Sequence, residues 1–122
     1  AIPVLEKAAK MSKDGDTYVL LGNLYLFEDR MEDSIRAIES GLKKPKVKSR
    51  SQALLVLGQA HFELQNFEEA KKQFRAAARD KNKRIKKTAN SWIKYAENEE
   101  IRVKNLALRR DFIQQSKAKA KS

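Results

Sequence analysis

Histidine is the residue type most often recruited for acid–base chemistry near neutral pH, and this chain of 122 residues has one, His61. It closes the series Leu54, Leu57, Gly58, His61, whose three- and four-residue steps place all four on one helix face. A packed imidazole is expected there rather than a general base. Carboxylates come in pairs at Glu32-Asp33, Glu68-Glu69 and Glu99-Glu100. The first two pairs fall in the first turns of expected helices, where acids complement the helix dipole. Cysteine is absent, which removes disulfides and thiolate metal sites. The sequence shows no glycine-rich phosphate loop, metal-ligand cluster or nucleophile elbow. No metal, no cofactor and no enzymatic activity are expected.

The other chemistry-bearing feature is charge. The formal net charge is +11, and it is unevenly spread. Residues 1–48 carry nine basic and eight acidic side chains, whereas residues 84–122 carry eleven basic and four acidic ones. Such a field attracts anionic partners and speeds their encounter. Arg102, Lys104, Arg109 and Arg110 form the candidate basic patch, open to an acidic protein, nucleic acid or anionic lipid. Nucleic acid is disfavoured because the aromatics occupy core-type positions and leave no stacking platform. The alternative to any of these is a solvated face with a lysine tail.

What must position these residues is a set of helices. Only four glycines and two prolines interrupt the chain, and no apolar run approaches the length of a membrane span. Periodicity predicts helices near 2–12, 16–28, 31–43, 51–64 and 67–79, then a long one over 83–115, with a kink near Glu97–Glu100 as the competing reading. Asp16 and Ser51 are candidate N-caps. The stretch Ser116 to Ser122 lacks apolar bulk and is expected to be mobile.

Two near-copies of one pattern lie 36 residues apart. The first is Tyr18-x2-Leu21-Gly22-x2-Tyr25 followed by Ser34-x3-Ile38-x2-Gly41; the second is Leu54-x2-Leu57-Gly58-x2-His61 followed by Ala70-x3-Phe74-x2-Ala77. A glycine inside a helix costs about 1 kcal/mol relative to alanine. Close approach of a second helix is the expected compensation, with Ser34 or Ala70 against the glycine and Ile38 or Phe74 filling the groove one turn later. A third, partial copy, Ala1-x3-Leu5-x2-Ala8, opens the chain. It reads as the second half of a repeat cut from a longer array, which leaves self-association through Ile2, Val4 and Leu5 open.

The repeat resembles the tetratricopeptide repeat, a helix–turn–helix unit of about 34 residues. The resemblance implies an all-α, right-handed α-solenoid of stacked helix pairs over 1–115, divided as 1–14, 15–48, 49–82 and a capping helix 83–115, with a basic tail over 116–122. It further implies a non-enzymatic scaffold whose first helices line a concave groove for a peptide or partner helix. The groove positions would be Asp16, Val19, Asn23, Leu26 and Phe27 in one unit, and Gln52, Leu55, Gln59, Phe62 and Glu63 in the next. The amides of Asn23 and Gln59 would clamp a peptide backbone. The lysine-rich carboxylate clamp of chaperone-binding members is not matched. Finally, Ala89-x2-Trp92-Ile93-x-Tyr95-x3-Glu99-x2-Arg102 resembles the C-terminal segment of bacterial tetratricopeptide proteins associated with TonB-type systems. That likeness implies a periplasmic accessory protein, with a cytoplasmic one as the alternative.

Overall fold

The structure, a computed structural model, describes residues 2–121. Six helices follow one another: α1 (Ile2–Met11), α2 (Asp16–Phe27), α3 (Met31–Leu42), α4 (Arg50–Glu63), α5 (Phe67–Ala77) and α6 (Lys83–Lys121). Among the described residues there is no strand, only an isolated bridge between Asp14 and Lys46. Ala1, the first residue of the partial copy, lies outside the described residues. Leu5 and Ile2 of α1 pack beside Leu21 and Tyr25, while Val4 is 72% exposed.

Each helix pair is joined at the seat its glycine provides. A Cβ placed on Gly22 would collide with the Ile38 side chain, and one on Gly58 would lie within 2.8 Å of two Phe74 ring atoms and closer still to a third. Ile38 and Phe74 are both fully buried there. In the first pair the small residue adds a hydrogen bond, with the Ser34 hydroxyl donating to the Gly22 carbonyl at 2.7 Å in a buried setting. Ser34→Ala is expected to cost about 1 kcal/mol, read as a shift in the urea midpoint.

The turn inside each pair repeats as closely as its helices. Asp29 and Gln65, 36 residues apart, both take φ of 61°. The Arg30 and Asn66 amides that follow donate back to the carbonyls of Tyr25 and His61 at 2.9 and 2.8 Å. A left-handed residue with a side chain costs about 1–2 kcal/mol, and glycine escapes that at a smaller entropic cost. Gln65→Gly is therefore expected to stabilise the chain by about 0.5–1 kcal/mol, measurable by thermal or urea unfolding.

The pairs stack through their first helices. α4 packs on both α3 and α2, and α6 packs on both α5 and α4, whereas α3 and α5 do not meet. Contact between first helices and separation between second helices curves the stack, with α2, α4 and α6 on its inner side. α6 enters as a third first-helix. Ala53 and Ala60, fully buried in α4, recur 36 residues on as Ala89 and Ala96, fully buried in α6. Leu57 recurs as Ile93 and Val56 as Trp92. The Trp92 ring stacks on Phe74 at 5.3 Å and meets Phe62 edge-on at 5.8 Å.

A buried ion pair fastens α5 to α6. Lys71 Nζ, on a side chain only 10% exposed, lies 3.0 Å from Glu100 and 3.0 Å from Glu68. Its hydrogen bonds to Glu100 first, and Glu68 second, raise the Lys71 pKa above 10.5. A raised folded value means that this stabilisation is fully present below pH 10.5 and is lost as pH rises through the folded value. Glu100→Gln leaves the ammonium with the exposed Glu68 alone. It is expected to cost about 1.5–3 kcal/mol at neutral pH and to flatten the alkaline limb of the stability profile.

Three local expectations are corrected. Asp16 and Ser51 are not N-caps: α2 and α4 begin after Gly15 and Ser49 with no side-chain cap. Asp16 instead accepts from the Lys48 amide at 3.1 Å, and Ser51 donates to Asp80 at 2.6 Å. Asn82 supplies the cap that was overlooked, its Oδ1 accepting from the Arg84 and Ile85 amides at the start of α6. α6 neither kinks into two helices near Glu97–Glu100 nor ends near residue 115; it runs unbroken to Lys121. Every residue from Lys104 to Lys121 is exposed, so the second half of this helix, about 27 Å of it, stands clear of the stack.

Candidate interaction groove

The inner side of the stack is built from equivalent positions on α2, α4 and α6. Asn23 is exposed and Gln59 half-buried, each one residue after the glycine that seats its partner helix. Neither amide has a hydrogen-bond partner among the described residues. Thirty-six residues beyond Gln59 stands Tyr95, 55% exposed, its ring stacked on Phe62 at 5.2 Å. Asn23, Gln59 and Tyr95 thus form a ladder across three helices. Sequence reasoning missed its third rung because the glycine position is Lys94 and the His61 position is Glu97 in α6, which erases the motif while the alanines persist.

Other expected groove residues divide into two groups. Phe27, 85% exposed, and the exposed Glu63 and Gln52 face solvent. Phe62, Val19 and Leu55 do not line an open surface: they are 8%, 8% and 4% exposed. Phe62 is covered by α6, lying against Phe67, Trp92 and Tyr95. Leu26 is half-buried against the core that contains Val19 and Ile38. Asp16 is engaged with the Lys48 amide. These residues support the groove from beneath.

On α6, Lys87, Thr88, Ser91, Trp92 and Tyr95 line a shallow cleft of about 380 Å³. Thr88 and Ser91 are the counterparts of Gln52 and Leu55. Lys83, Lys86 and Lys94 follow the outward face of the same helix, Lys87 stands where that face meets the cleft, and none of the four has an ion pair among the described residues.

The candidate basic patch is only partly free. Arg102 is paired with Glu99, and Lys104 lies 4.0 Å from Glu100. Arg109 and Arg110 are exposed on the projecting half of α6. His61 is half-buried, with Nδ1 3.3 Å from the Asn66 amide nitrogen; it therefore sits at the rim of its repeat rather than deep in the core. Among the described residues no group of acidic, histidine or cysteine side chains is placed to hold a metal. None of their helices is long and apolar enough to cross a membrane.

The family model for the tetratricopeptide repeat matches residues 51–79. This segment is similar to the tetratricopeptide repeat. It covers nearly all of α4 and α5, and the α2–α3 pair reproduces its glycine seat, its left-handed turn and its spacing. The fold is accordingly an all-α, tetratricopeptide-like helical repeat, and repeats of this kind generally mediate protein–protein interaction. No curated protein and no solved structure matches the chain.

Proposed function

We propose that the inner face of α2, α4 and α6 holds an extended peptide segment of another protein. The observation that carries this reading is the pair of amides at Asn23 and Gln59. They stand at equivalent positions of successive tetratricopeptide-type units, and neither is used within the fold. Each offers a donor and an acceptor, the set needed to pair with a peptide backbone. Phe27 adds an exposed apolar contact and Glu63 an exposed acidic one. The proposed binding set is therefore Asn23, Phe27, Gln59 and Glu63, with Leu26 and Phe62 holding the helices that present them.

The test is peptide binding measured on the intact chain and on Asn23→Ala and Gln59→Ala. Each variant is expected to weaken binding roughly five- to tenfold, the worth of about one hydrogen bond, while leaving the unfolding midpoint unchanged. Equal affinity for all three proteins would remove the groove from consideration.

A second reading follows from the bare, basic half of α6, where Arg109, Arg110, Lys117 and Lys121 are exposed. It makes this rod an anion-binding arm for an acidic partner surface. Steep loss of binding with salt and its abolition by Arg109→Glu with Arg110→Glu would mark that mode. A place beside a TonB-type energiser rests on the likeness at 89–102 alone. Its hallmark residues Ala89, Trp92 and Ile93 are the ones that pack α6 on its neighbours.

A further inference from the structure

The groove changes character from one end to the other. On α2, Leu20, Asn23 and Phe27 recur at three- and four-residue steps and so share a face, on which Leu20 is 48% and Phe27 85% exposed. This end offers apolar surface. Across α4 the groups on offer are the exposed Gln52 amide, the half-buried Gln59 amide and the exposed Glu63 carboxylate. On α6 the cleft presents the Lys87 ammonium, the Thr88 and Ser91 hydroxyls and the Tyr95 phenol over the Trp92 ring. Lys87 has no ion pair among the described residues, and unpaired Lys83, Lys86 and Lys94 beside it raise the local positive potential. Elsewhere on α6, by contrast, Arg102 is paired with Glu99, and Lys104 lies 4.0 Å from Glu100. An ammonium without a counter-ion beside two hydroxyl donors suits an anionic side chain, which would gain charge-assisted hydrogen bonds there.

The separation of the two ends fixes the ligand's length. Packed helices lie about 8–10 Å apart, so α2 and α6, with α4 between them, are about 16–20 Å apart. An extended chain advances about 3.3 Å per residue, which makes this span roughly five or six residues. We infer that the groove selects a directional peptide: an apolar side chain on Phe27 and Leu20, a backbone held by Asn23 and Gln59, and an acidic side chain five or six residues away on Lys87, Thr88 and Ser91. This rests on the groove reading above and adds the partner's chemistry to it.

The experiment pans a displayed library of random dodecapeptides on the intact protein, then measures the affinity of selected peptides for variants. The expected result is enrichment of an Asp or Glu five or six residues from a large apolar side chain. Lys87→Glu should weaken these peptides roughly tenfold or more, and replacing their acidic residue by Lys should restore affinity for that variant alone. Lys87 is exposed, so the substitution leaves the fold intact, which thermal unfolding verifies. Peptides that lose affinity with Asn23→Ala or Gln59→Ala but are indifferent to Lys87→Glu would overturn the acidic end while leaving the groove standing. Peptides indifferent to all three variants, or no selected peptide at all, would overturn both.

Discussion

Phe74→Ala is expected to remove about 3–5 kcal/mol of stability, the largest effect of any single truncation in this chain. The ring is fully buried and is shared by three helices: it fills the space left open by Gly58 on α4, belongs to α5 and stacks on Trp92 of α6. Its loss opens a cavity that the glycine cannot refill and removes a packing partner of Trp92 in α6. A domain of this size holds about 5–15 kcal/mol in total, so the variant should be largely unfolded in moderate urea where the parent remains folded. Pairing it with Gly58→Leu, which returns apolar volume from the opposite helix, should recover part of the loss. Circular dichroism across a urea series reads both. A midpoint for Phe74→Ala close to the parent's would mean that α4, α5 and α6 are not held as described.

Gly15→Ala is the second large effect, and its cause lies in the backbone rather than in a side chain. Gly15 has φ −92° and ψ 0°, values that alanine tolerates, so no dihedral strain is involved. Its added Cβ would instead overlap the Gly41 carbonyl and lie 2.7 Å from that carbonyl carbon. Gly41 is equally confined, since its own Cβ would meet the Gly15 carbonyl oxygen at 2.8 Å. Side chains can rotate away from such contacts; two backbone segments cannot. Relief requires parting the start of α2 from the end of α3, which also strains the hydrogen bond from the Gly15 amide to the Lys46 carbonyl at 2.7 Å. A cost of about 3 kcal/mol is expected, at the upper end for overpacking. The neighbouring, exposed Lys13→Ala should stay within about 0.5 kcal/mol of the parent, and urea unfolding of the two together isolates the steric effect.

The residues that made the fold readable are those with a spatial demand that only one residue type meets. Gly22 and Gly58 announced close helix crossings, and the structure places Ile38 and Phe74 on them. Where the demand is met by chemistry that several residues share, the reading faltered. A buried alanine at 89 or 96 looks like any helix former, so spacing alone does not show that α6 packs on α4 as α4 packs on α2. Phe62 was assigned to the groove from its repeat position alone; the arrival of α6 over α4 buries it, a tertiary event that local spacing does not encode. Asp16 and Ser51 have the right side chains for N-caps but are held by partners about thirty residues away, Lys48 and Asp80. Asn23 and Gln59 were legible as a pair because the repeat aligns them. That they lack internal partners required the coordinates.

α6 also joins two places that would otherwise be independent. Its first half packs on α4 and α5 and presents the cleft of Tyr95, Ser91 and Lys87, and its second half leaves the body as an uninterrupted rod. Its last fixed points on the body are Glu100, held by Lys71, and the partly buried Val103. A bend of about 10° just beyond Val103 would sweep the far end through roughly 5 Å, given a free arm of about 27 Å. The arm thereby carries the Arg109 and Arg110 charges well outside the volume of the packed helices.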